Sequence, residues 1–75
     1  MHVRPQHTYR IMGFKSHINP AWRQKLLAIG LLPGSTLEVV RVAPLGDPIQ
    51  IRIRRVSFAV RQTDLANINL ENVSV

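Results

Sequence analysis

Residues 30–34, Gly30-Leu31-Leu32-Pro33-Gly34, constrain this chain more than any other stretch. They join a helix-like segment to a strand-like one through a corner that carries two leucines. Upstream, Asn19-Pro20 is a strong helix start, because Asn can cap and Pro suits the first helical position. Trp22, Leu26 and Ile29 then recur at helical spacing, with Leu27 beside them and Arg23, Gln24 and Lys25 on the opposite face. Gly30 suits the left-handed residue that ends a helix, and an apolar residue just beyond it packs back on the last turn. Pro33 and Gly34 suit the second and third positions of a β-turn. Two adjacent leucines rarely both point inward. One is expected in the core and the other, Leu32, is expected at the surface.

The rest of the chain reads as β. Tyr9 to Gly13 is short and apolar-rich, and Thr36 to Ala43 is rich in β-branched residues, with Val39-Val40 breaking the alternation as a bulge would. Ile49, Ile51 and Ile53 alternate with Gln50, Arg52 and Arg54. Val56, Phe58 and Val60 alternate with Ser57, Ala59 and Arg61. Only Arg54-Arg55 can turn the chain between them, and since tight hairpins prefer Gly or Asn there, a wider turn is expected. Thr63 is expected to cap a helical turn over 64–67, and Ile68, Leu70 and Val73 to form a last strand. Five short strands with Gly/Pro corners predict a mainly β fold, a small barrel with the helix between strands one and two as its lid. The expected core is Trp22, Leu26, Ile29, Val39, Ile51, Phe58 and Val60.

Seventy-five residues make one domain, 1–75. The longest apolar runs are too short to span a bilayer. The first residues lack the apolar region of a signal peptide, so a cytoplasmic protein is expected. The absence of cysteine excludes disulfides and thiolate metal sites. His2, His7 and His17 lack the spacing of a ligand set, so solvated loop histidines are expected rather than a metal centre. Glu38, Asp47, Asp64 and Glu71 are scattered, no serine has an evident base, and no phosphate loop is present. No enzyme, cofactor or small-molecule substrate is expected.

The net charge is +6, with ten Lys and Arg against four Asp and Glu. A balance of that sign suits an anionic partner without naming it. Arg52, Arg54, Arg55 and Arg61 cluster on the face and tip of one hairpin, either as solvated edge protection or as a docking patch. Tyr9, Phe14, Trp22 and Phe58 are the only aromatics, too few free rings for a single-strand nucleic-acid platform. Pro44-Leu45-Gly46-Asp47-Pro48 is a rigid loop with one bare leucine, and with an exposed corner leucine it would make a small apolar patch.

The segment "PAWRQKLLAIGLLPGSTLEVVRVAPLGDPIQIRIRRVSFAVRQTDLANI", Pro20 to Ile68, resembles the FeoA family. The resemblance rests on the helix with Arg23 and Leu26, the Gly30-to-Gly34 corner, the Pro44-to-Pro48 loop and Ala59-x-Arg61. Many members of that family place Gly where this chain has Arg54-Arg55. The resemblance implies an SH3-like barrel without catalysis. It also implies a partner, FeoB, the membrane transporter of ferrous iron with a cytosolic GTP-hydrolysing region. The protein would then be a cytoplasmic adaptor recruited to the inner face of the membrane, with Leu31, Leu32, Pro33, Leu45, Arg52, Arg54 and Arg55 as its docking residues. The alternatives are a basic barrel that binds nucleic acid and an iron-sensing, metal-binding module. Because no ordered ligand set can be assembled, anaerobic calorimetry of the isolated protein is expected to show no tight, stoichiometric Fe²⁺ binding. Tight binding lost in a His2/His7/His17 triple variant would contradict this.

Overall fold

The structure, a computed structural model, describes residues 3–74; His2 lies outside them. The chain order is β1 (Thr8–Phe14), α1 (Pro20–Ala28), β2 (Thr36–Val42), β3 (Ile49–Ile53), β4 (Val56–Val60), α2 (Gln62–Ala66) and β5 (Ile68–Asn72). The strands form one antiparallel sheet in the order β4-β3-β2-β1-β5. Among the described residues β4 pairs only with β3 and β5 only with β1, so the sheet is open and not the closed barrel that the strand count suggested. The two edge strands are consecutive in the chain, but α2 separates them. The Lys15 N–H donates to the Asn67 carbonyl (2.9 Å), which ties the start of β5 to the end of β1 rather than to β4.

Helix α1 starts as the Asn19-Pro20 pair dictates: the Asn19 side-chain oxygen accepts from the Ala21 N–H at 2.8 Å. Its end is closed by two bonds. The Leu31 N–H donates to the Leu26 carbonyl (3.1 Å) and the Gly30 N–H to the Leu27 carbonyl (3.0 Å). This is the Schellman pattern, and it requires a left-handed residue at Gly30, whose φ is 102°. Its apolar contact is supplied by Leu26 and Leu31, both fully buried. The next turn follows at once. The Ser35 N–H donates to the Leu32 carbonyl (3.0 Å) around Pro33 and Gly34. Gly34 has a φ of 90°, as the third position of a type II turn demands. The Gly34 N–H then donates to the Ile11 carbonyl (2.7 Å), and the Ile11 N–H to the Ser35 carbonyl (2.8 Å), so the corner feeds directly into the β1–β2 ladder.

The β2–β3 register shifts between Val39 and Arg41, the bulge that Val39-Val40 foreshadowed. One core gathers Tyr9, Ile11, Leu37, Val39, Ile49, Ile51, Ile53, Val60 and Ile68 from the strands with Leu26, Leu31 and Leu65 from the helices and corner. Trp22, Ile29 and Phe58, expected in the core, are only half-buried against it. Phe58 lies on β4, which has no second neighbour among the described residues, and Trp22 and Ile29 pack against the core from α1 and its C-cap with part of each side chain left to solvent. Helix α2 also starts differently. Arg61 is its N-cap, and the Arg61 N–H donates to the Asp64 carboxylate (3.0 Å). Asp64, not Thr63, satisfies that end, because a buried carboxylate three residues on can reach back to the free N–H. Val73 lies beyond β5, its N–H donating to the Thr8 carbonyl (2.9 Å).

The corner makes a sharp prediction. Leu26→Ala and Leu31→Ala each delete a fully buried leucine side chain and should each cost roughly 2–5 kcal/mol. Urea unfolding should show large, similar losses for the two. The paired variant should lose less than their sum, because the two side chains share one cavity.

Candidate functional site

Between the corner and the β3–β4 hairpin lies a groove of about 550 Å³. Ile29 and Leu32 line one wall; Ile53, Arg54, Val56 and Phe58 line the other. The antiparallel register explains the meeting. Glu38 faces Arg52 across the ladder, so the start of β2 and the hairpin tip share one end of the sheet. Leu32 is 45% exposed while Leu31 beside it is 0% exposed. Adjacent residues cannot share one side of so tight a corner, and the Schellman contact claims Leu31. Leu31 is therefore not available as a docking residue. Pro33 and Leu32 are exposed on a frame held by backbone hydrogen bonds.

The hairpin turn is tighter than the sequence suggested. Ile53 pairs with Val56 across Arg54 and Arg55 alone. Arg54 carries the positive φ, 58°, that this turn needs. A β-carbon in that conformation is strained, so Arg54, which lines the groove, is held there at a local cost. The expected basic cluster is also dispersed. Arg52 pairs with Glu38 at 3.4 Å on the exposed face, whereas Arg54, Arg55 and Arg61 have no ion pair among the described residues. Arg61 stands past the far end of β4, away from the tip.

Leu45 is 98% exposed on its loop. The loop is fixed by the Gly46 N–H to the Ala43 carbonyl (2.8 Å) and by Asp47, which accepts from the Gln62 N–H (2.6 Å). It sits at the opposite end of the β2–β3 ladder from Leu32, about 20 Å away along a strand. The structure does not bring the two leucines into one patch.

A second surface escaped sequence reasoning. His17, Trp22, Lys25 and Asn67 border a shallow cleft, with the Lys25 Nζ 4.7 Å from the centre of the Trp22 ring. That contact is of cation–π type and needs an exposed ring face. The i, i+3 spacing of Trp22 and Lys25 was its only sequence signal. Among the described residues no three His, Asp or Glu side chains gather to hold a metal ion. His7, beside Asn72 at the start of β1, and His17, beyond the end of β1, lie apart. Also among them, no helix is long and apolar enough to cross a membrane.

The FeoA domain profile matches residues 2–72. The chain belongs to the FeoA family. A solution structure of a Pseudomonas aeruginosa protein is 47% identical, covers 96% of each chain and superposes with a TM-score of 0.78. An Fe(2+) transport protein A/Fe(2+) transporter FeoB fusion protein of Porphyromonas gingivalis is 38% identical over 53 residues. These make up 71% of this chain and 6% of that protein, so this FeoA chain spans only a small fraction of the fusion. A Stenotrophomonas maltophilia FeoA, described as a prokaryotic SH3 domain protein, matches in fold. It has a TM-score of 0.68 and 23% identity over 89% of this chain and 82% of that one. The five antiparallel strands of the FeoA domain here are thus SH3-like in arrangement, although their sheet stays open.

The strain at the tip can be measured. Arg54→Gly removes a β-carbon from a φ of 58° and should stabilise the domain by about 1 kcal/mol or less, glycine's own chain entropy offsetting part of the relief. A loss of stability in urea would show that the Arg54 side chain holds the groove wall.

Proposed function

We propose that this FeoA domain is a non-catalytic cytoplasmic adaptor in ferrous iron uptake, docking on the soluble region of the Fe²⁺ transporter through the corner-and-hairpin groove. The observation that carries this reading is Leu32. Folding requires its neighbour Leu31 in the core, but nothing in the fold requires an apolar residue at a position 45% exposed. Leu32 nevertheless lines the same groove as Arg54, a residue kept in a conformation that glycine adopts more easily.

Family membership and the relative joined to a ferrous iron transporter in one chain support the choice of partner. A fusion holds its two parts at high local concentration, which favours contact between them. A rigid corner loses little entropy on binding, so a single leucine there contributes efficiently. The guanidinium groups around it attract an acidic surface and speed encounter, while the apolar contact sets the lifetime of the complex. Iron is the cargo of the transporter in this scheme, and the adaptor does not hold it.

Leu32→Ser tests the reading. The variant should keep its melting temperature and circular dichroism, since the side chain is largely outside the core. It should fail to retain the transporter's GTP-hydrolysing region in a pull-down, with and without nucleotide, and should not restore ferrous iron uptake in cells that lack the wild-type protein. A folded variant that binds and supports uptake normally would refute docking through this corner.

A further inference from the structure

Strand β4 is an edge, paired only with β3 among the described residues. Natural edges are blunted by charges, prolines or bulges, because an open row of N–H and C=O groups invites another strand. Val56-Ser57-Phe58-Ala59-Val60 has no charge and no proline, and its ladder with β3 runs without a bulge. Val56 is 54% exposed. The other edge differs: β5 carries Glu71, which pairs with Arg10 at 3.5 Å across the β1–β5 ladder.

The register says which groups are free. Ile53 and Val56 flank a two-residue turn, so they exchange hydrogen bonds, and so does every second pair beyond them. The bonded pairs are then Ile53 with Val56, Ile51 with Phe58, and Ile49 with Val60. Ser57 and Ala59 fall between, and their N–H and C=O groups point away from β3. Val56 and Phe58 line the groove, so a strand laid beside β4 would set every second side chain over it, toward Leu32.

Charge selects the occupant. The open edge is bracketed by Arg54 and Arg55 at one end and Arg61 at the other, none of them in an ion pair among the described residues. A second copy of the chain, added antiparallel across a two-fold axis, would bring Arg54 and Arg55 of one copy beside Arg61 of the other. Like charges so placed oppose self-pairing, whereas an acidic segment finds a partner at both ends. We propose that β4 takes up an extended acidic segment of the transporter's soluble region as a sixth strand. Its backbone would bond to Ser57 and Ala59, its alternate apolar side chains would lie in the groove beside Leu32, and its carboxylates would face Arg54, Arg55 and Arg61. This rests on the docking reading above and names the mode of contact, strand addition, in which main-chain bonds give affinity and pockets for alternate side chains give specificity.

Amide hydrogen exchange followed by NMR tests this on the full chain, with the purified GTP-hydrolysing region of the transporter as the probe. The Ser57 and Ala59 amides should exchange freely in the isolated protein and become protected in the complex. Ala59→Pro removes one outward N–H and leaves the β3 ladder intact, a substitution that an edge tolerates. It should weaken binding at least roughly tenfold, with the remaining amide spectrum unchanged. Arg55→Glu should weaken binding too, and most at low salt. If the wild type binds but Ser57 and Ala59 stay unprotected, strand addition is wrong and docking stands. Should Ala59→Pro unfold, the exchange pattern of the wild type still decides. If the wild type does not bind the probe, docking itself fails and this inference with it. Protection of the same two amides in a dimer of the protein alone would overturn the acidic segment in favour of a second copy.

Discussion

The hydrogen bond from the Leu31 N–H to the Leu26 carbonyl, closed over two fully buried leucines, is the joint on which the structure turns. It ends α1 and commits Leu31 to the core. The Pro33-Gly34 turn that follows delivers the chain to Ile11 on β1. Each buried leucine contributes roughly 1.5–3 kcal/mol, which is a large share of the stability of so small a domain. Because the same five residues also set the direction of β2, a local motif decides where the sheet begins and which leucine faces outward.

That joint has a consequence for the surface. A corner that rigid presents Leu32 and Pro33 without ordering cost, and the antiparallel register carries the Arg54-Arg55 tip to the same end of the sheet. Apolar and cationic groups thus meet across one groove, though they lie about twenty residues apart in the chain. The exposed ion pairs, Arg52 with Glu38 and Arg10 with Glu71, contribute little to stability at such exposure. Arg54, Arg55 and Arg61, at the two ends of β4, are among the cations that have no ion pair among the described residues.

The open sheet gives the domain two edges of different character. At β5 a glutamate sits in the strand and its neighbour's arginine holds it. At β4 the protection has moved off the strand to the residues that bracket it. Charges placed there discourage self-association while leaving the backbone accessible to a chain of opposite sign. Such an edge would suit the docking proposed above, because strand addition needs no preformed cavity in the partner.

Much was legible in the residues themselves, because it depends on conformations that only certain residues adopt. Asn19-Pro20 set the start of α1, Gly30 its end, Pro33-Gly34 the turn, and Val39-Val40 the bulge; each rests on φ values or hydrogen bonds within a few positions. The alternating isoleucines of β3 fixed their own inward face by a period of two. The barrel, the full burial of Trp22, Ile29 and Phe58, and a single patch holding Leu32 with Leu45 were wrong for one shared reason. Each needed to know which strands become edges and which ends of the ladders coincide. Pairing order and register are set by contacts between residues far apart in the chain. Local pattern fixed which residues could pack, and only the assembled sheet decided that β4 would have no second neighbour among the described residues and that Leu32 would share a groove with Arg54 rather than a patch with Leu45.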